Sequence, residues 1–150
     1  MKKLLLFSLF FCLVTLSYAQ EFVQIQNKWK PDQYLHIEHG KIESGPIESG
    51  WHSAMWLLLD EGEFIKIQNR WKPDQYLHIE HGKIESGPIE SGWHSAMWMP
   101  EEENGFLRFR NRWKPDQYLH IEHGKIESGP IQLGWHSAQW TLIPRTVPNP

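Results

Sequence analysis

Cysteine is nearly absent. Cys12 is the single thiol in 150 residues, so no disulfide can form within one chain and stability must come from a packed core. Long apolar runs are equally scarce. Leu4 to Leu16 is the one such run, and it is shorter than the roughly 20 residues that span a bilayer. Helical periodicity is missing. Concentrated positive charge is missing too: 15 Lys and Arg are interspersed with 18 Asp and Glu, for a net charge of −3. Without a basic stripe, nucleic acid is not an expected partner. Neither a phosphate-binding glycine loop nor a zinc-protease pattern occurs.

The N-terminal run has its own explanation. Lys2 and Lys3 precede it, and Ser17-Tyr18-Ala19 follows with small residues at −3 and −1 of a cleavage point, the three-part pattern of a secretory signal peptide over 1–19. Phe11, before Cys12, is too bulky for a lipid-modification site. Cleavage would start the mature chain at Gln20, remove Cys12, and lower the 15 basic residues to 13 against 18 acidic ones, a charge near −5. The expected location is secreted, extracellular or periplasmic in a bacterium, with no membrane insertion after cleavage. Residues 20–150 fit one domain that buries roughly two-thirds of its surface. Its oligomeric state is not legible.

What the sequence does have is repetition. The segment from Trp29 recurs from Trp71 and from Trp113, a period of 42 residues. Residues 29–56 are identical to 71–98, and 113–140 differs only at Gln132, Leu133 and Gln139. All nine tryptophans and all nine histidines fall in the pattern. The repeats are drawn as 22–63, 64–105 and 106–147, with acidic, glycine-bearing turns at 60–63 and 101–105. The proline-rich tail from Pro144 is expected to fray.

Each repeat reads as four short strands. In the first, Val23 and Ile25 alternate with Gln24 and Gln26, which places the glutamines in water. The second, Tyr34 to Glu38, puts Leu35 and Ile37 on the core face, and Tyr34, His36 and Glu38 on the solvated one. His39-Gly40 reads as a tight hairpin turn. Ile42 to Ile47 is a third strand, Trp51-His52-Ser53 a loop, and Ala54 to Leu58 a fourth strand, with Trp56 in the core. Three copies are too few for a propeller and lack the distinct caps of a solenoid. Periodicity leaves a β-trefoil or a β-prism, both all-β with pseudo-threefold symmetry.

The apolar first strand, Tyr34-Leu35-His36-Ile37, the glycine hairpin and Trp51-His52-Ser53-Ala54-Met55-Trp56 resemble the ricin-type β-trefoil lectins, most of all lectin-like repeats of secreted bacterial proteins. Trp56, Trp98 and Trp140 stand where that family has the Trp of its Gln-x-Trp pattern. The resemblance implies a trefoil with a sugar pocket on the outer face of each repeat. The chain departs from the family at Ala54, Ala96 and Ala138, which replace the pattern's glutamine. It departs again at His36, His78 and His120, where a strand-two aspartate is usual, so galactose specificity is not carried over.

A sugar site needs an aromatic face for the C–H side of the ring and fixed polar groups for the hydroxyls. Trp29, Tyr34 and Trp51 offer stacking; Asp32, His36, Glu38 and His52 offer hydrogen bonds. Trp29 is expected to pack over the barrel end. The assigned carbohydrate site is therefore Asp32, Tyr34, His36, Glu38, Trp51 and His52. Its copies are Asp74, Tyr76, His78, Glu80, Trp93 and His94, then Asp116, Tyr118, His120, Glu122, Trp135 and His136. His36-x-Glu38-His39 has metal-ligand chemistry, but His39 alternates to the other face, and neither metal nor cofactor is assigned. Three equivalent copies of each candidate acid, base or hydroxyl suggest repeated binding, and the chain is expected not to be an enzyme. The functional expectation is a multivalent glycan-binding protein, with avidity of roughly 10² over a single site. A β-trefoil protease inhibitor, another protein-binding module or a structural surface protein is the alternative. Gln132 and Leu133 give the third copy an altered affinity.

Overall fold

A computed structural model describes residues 21–146; the signal segment expected at 1–19 lies outside them. Among the described residues, twelve strands form three copies of a four-strand unit. The first holds β1 (Glu21–Asn27), β2 (Tyr34–Glu38), β3 (Lys41–Gly45) and β4 (Trp56–Glu61). The second holds β5 (Phe64–Asn69), β6 (Tyr76–Glu80), β7 (Lys83–Gly87) and β8 (Trp98–Glu103). The third holds β9 (Phe106–Asn111), β10 (Tyr118–Glu122), β11 (Lys125–Gly129) and β12 (Trp140–Thr146). A one-turn 3-10 helix, His52–Ala54 in the first unit, precedes each fourth strand.

Six strands close a barrel. β1 pairs with β12 and β4, β5 with β4 and β8, and β9 with β8 and β12, all antiparallel, so the barrel has no free edge. The other six form the hairpins β2–β3, β6–β7 and β10–β11. These meet one another through β3, β7 and β11 and cap one end of the barrel. Barrel plus hairpin triplet under threefold pseudosymmetry is the β-trefoil, and the prism alternative falls.

The core follows from this arrangement. Trp56, Trp98 and Trp140 are fully buried, and each indole N–H donates to a second-strand carbonyl, those of Leu35, Leu77 and Leu119, at 2.9, 2.9 and 3.0 Å. The polar corner of each tryptophan is thus satisfied within apolar packing. Ile25, Ile67 and Phe109 fill equivalent barrel positions, and Ile42, Ile84 and Ile126 the cap.

Several local expectations need correction. Gln24 is 1% exposed rather than in water, because the loop after β3 folds over the barrel strand: its side-chain amide donates to the Ser49 carbonyl and accepts from Arg145. Lys66, the counterpart in the second repeat, is equally covered, bonding Ser91 O at 2.9 Å and Glu61 at 2.7 Å. The third strand ends at Gly45, before Pro46, and the fourth begins only at Trp56, because Ala54 belongs to the 3-10 turn. Pro144 does not begin a frayed tail; it lies in β12 opposite Val23.

Candidate functional site

The site is built where one repeat meets the next. Asn69, at the end of β5, donates its side-chain amide to the carbonyl of Ser53 in the preceding repeat at 2.9 Å. Its side-chain oxygen accepts the backbone N–H groups of Trp71 and Lys72 at 3.0 and 3.1 Å. The Arg70 N–H bonds the Met55 carbonyl. These bonds hold the Trp71 turn against the Trp51–Ser53 segment. Asn111 does the same to Ser95, and Asn27 reaches almost the full length of the chain to Ser137. Each joint carries a second fastening, a cation over a phenyl ring: Arg70 on Phe22, Arg112 on Phe64, Lys28 on Phe106.

Tryptophans therefore pair across repeats. Trp29, with Glu122, His123, Trp135, His136 and Ser137, lines an open pocket of about 410 Å³. Trp113, with Glu80, His81, Trp93, His94 and Ser95, lines one of about 300 Å³. Trp29, Trp71 and Trp113 are each 52% exposed, a large apolar surface left in water, where the sequence suggested packing over the barrel end. Lys30, Lys72 and Lys114 lie over their rings at 4.6, 4.5 and 4.6 Å. The rim histidines His81 and His123, and their counterpart His39, have φ near +50° and are followed by glycines at +72°. Two successive positive φ values are the type I′ hairpin pattern expected for His39-Gly40. A non-glycine residue in that conformation at a pocket rim is uncommon.

Of the residues assigned from sequence, the structure brings together Glu80, Trp93 and His94 in one pocket and Glu122, Trp135 and His136 in the other, the counterparts of Glu38, Trp51 and His52. The others separate. His36, expected on a solvated face, is 2% exposed. Trp51 stands edge-on over it at 6.0 Å, and Gly45 leaves room for it, since a Cβ there would come within 3.3 Å of Cε1. His78 and His120 are buried in the same way. Tyr34 faces β1, where its hydroxyl accepts from the Gln26 amide at 3.0 Å, and that amide also donates to the Pro31 carbonyl. Neither tyrosine nor Asp32, Asp74 or Asp116 is among the residues lining the two pockets. In the third repeat Tyr118 has different neighbours. Burial, then the Glu101 carboxylate, pushes its phenol above the ordinary 10.0. The third site also differs at its rim, where Leu133 is 82% exposed beside Gly134.

Trp29, Trp71, Trp113 and the rim histidines are the residues that sequence reasoning left out. The available signal was a tryptophan placed directly in turn chemistry, Asn-x-Trp-Lys-Pro. Its partner belongs to another repeat, which one-dimensional spacing does not reveal.

No protein-family model matches the chain, and no curated protein does. Solved structures do. A GlcNAcα1-4Gal-releasing endo-β-galactosidase from Clostridium perfringens matches with TM-score 0.77 and 30% identity, over 83% of this chain and 32% of that one. The designed threefold-symmetric protein ThreeFoil matches at 0.71 and 16%, over 81% and 97%. SeviL, solved bound to asialo-GM1 saccharide, matches at 0.67 and 19%, over 81% and 95%. The last two likenesses establish the fold. The chain spans about a third of the length of the endo-β-galactosidase.

These matches correct one expectation. Glycosidases stand among the solved chains that share this architecture, including an α-L-arabinofuranosidase at 11% identity, so the chain is not set apart from enzymes. The symmetry that suggested otherwise describes only the repeat unit, and a trefoil of this length fills 32% and 31% of those two chains.

Proposed function

We propose that the chain is a secreted carbohydrate-binding module of the ricin-type lectin kind, with one glycan site at each of its three repeat joints. The observation that carries this reading is the pairing of two indoles from different repeats around one open pocket, with a carboxylate and an imidazole at its rim. In the third site the exposed Trp29 indole takes the apolar C–H face of a sugar ring, Trp135 supplies the second wall, and Glu122 and His136 take hydroxyls. The saccharide-bound SeviL supports the ligand class. The endo-β-galactosidase, at 30% identity over its matched part, directs the first screen to glycans containing Gal and GlcNAc. Three such sites on one rigid body gain roughly 10² in avidity on a repetitive glycan surface. A signal peptide over 1–19 accounts for export.

The test is a glycan array with two folded triple variants. Replacing Trp29, Trp71 and Trp113 by Ala should abolish binding, and replacing Tyr34, Tyr76 and Tyr118 by Phe should leave it. Binding that survives the tryptophan variant, or no binding by the parent protein, refutes the reading.

A further inference from the structure

Beside the pockets is a recurring group of side chains of which the glycan reading uses one carboxylate, that of Glu122, and leaves the buried imidazole and the other carboxylate without a role. His36, Glu38 and Glu43 bring one donor atom each within 4.8 Å of one another; His78, Glu80 and Glu85 repeat the arrangement, as do His120, Glu122 and Glu127. The third donor comes from the facing strand, because β2 and β3 pair His36 with Glu43.

The imidazole's hydrogen bonds point to what belongs there. His36 Nδ1 lies 3.1 Å from the Tyr34 carbonyl, which can only accept, so Nδ1 carries a hydrogen and donates it. Nε2 lies 3.2 Å from Glu38 Oε2, another atom that only accepts when ionised. A buried ring nitrogen thus faces a carboxylate with no donor between them unless a cation or a second proton stands there. The same pair of contacts recurs at His78 and His120. Histidines that bind metals characteristically hold their other ring nitrogen to a backbone carbonyl, which fixes the ring and aims the lone pair.

We propose that each cluster binds a divalent transition-metal cation such as Zn²⁺ through the imidazole Nε2 and two carboxylates, with water completing the coordination from the solvent side. Donors about 2.1 Å from a shared ion stand about 3–4 Å apart. The His36–Glu38 pair is already at that spacing, and Glu43, with a side chain 38% exposed, is free to move inward. His39 competes for Glu43, with Nδ1 3.8 Å from its carboxylate. Because Glu122 also lines the glycan pocket, an ion here borders the sugar.

The test needs no sugar. The chelator-treated full chain is titrated with Zn²⁺ by calorimetry, then with Co²⁺ to read the ligand field. Three equivalents per chain are expected. Glu43→Gln should remove or weaken one of them, by about tenfold or more, and the Glu43→Gln/Glu85→Gln/Glu127→Gln variant should weaken all three, each with an unchanged unfolding curve. Equal zinc binding by the parent and the triple variant would assign the ion to exposed histidines and overturn the proposal. No binding by the parent would overturn it as well, leaving a proton between His36 and Glu38. A glycan array run in chelator separates this failure from failure of the sugar reading.

Discussion

The barrel and the cap had the same three chances to diverge, and the barrel took far more of them. Residues 29–56 and 71–98 are identical, whereas 57–70 and 99–112 agree only at Phe64/Phe106, Asn69/Asn111, Arg70/Arg112 and Glu61/Glu103. The first three of these fasten the joints: the asparagine bonds the preceding 3-10 turn, and the arginine covers a phenylalanine of the preceding repeat, while the glutamate pairs with Lys66 or Arg108. Elsewhere the barrel finds different solutions to one problem. At the covered polar position Gln24 bonds Arg145, Lys66 pairs with Glu61, and Arg108 with Glu101 and Glu103. Volume and polar satisfaction are what the barrel asks for, whereas the joint asks for particular side chains in particular places.

Substitutions can sharpen that contrast. Trp98→Ala removes a fully buried indole and leaves the Leu77 carbonyl unmatched, so it should cost about 3–5 kcal/mol in denaturant unfolding. A loss below about 1 kcal/mol would contradict the packing described. Asn69→Ala should cost about 1–3 kcal/mol, because the Ser53 carbonyl and the amides of Trp71 and Lys72 lose their partner, and it should also silence the first glycan site. Lys66→Gln places the first repeat's residue at this position, with Glu61 rather than Arg145 beside it, and should cost about 1 kcal/mol or less. Were it to cost as much as Asn69→Ala, barrel and joint would be equally demanding. Trp71→Ala should change stability by about 0.5 kcal/mol or less while removing a binding site, since its ring is half in water.

The smallest effect concerns pH. Tyr118 has the same sequence context as Tyr34 and Tyr76 but sits among altered barrel neighbours, Glu101 and Arg108. Its folded-state value is raised, so its contribution to stability is complete below pH 10 and is lost as pH rises through the higher folded value. In an ultraviolet titration Glu101→Gln should move this phenol back toward 10.0; no movement would remove the carboxylate from the explanation.

The threefold architecture was legible because the repeats are explicit, and the buried Trp56 because an apolar strand follows it. Half of the site was legible for the same reason: Glu38, Trp51 and His52 lie close together along one repeat. Strand alternation misplaced Gln24 and His36 because it distinguishes two faces of a strand without saying what covers the second. Here a loop covers Gln24 and an indole covers His36. Trp29 escaped because its partner, Trp135, is brought to it only by closing β1 on β12. Glu43 escaped as a neighbour of His36 because register, rather than spacing along one strand, joins them.

The most direct test of sites shared between repeats is the stoichiometry of glycan binding by calorimetry in paired variants. Trp29→Ala/Trp135→Ala alters one pocket twice and should leave two working sites of three, as either single change does. Trp29→Ala/Trp51→Ala alters two pockets and should leave one. If the first pair instead leaves one site, each tryptophan serves its own repeat, and the site does not lie at the joint.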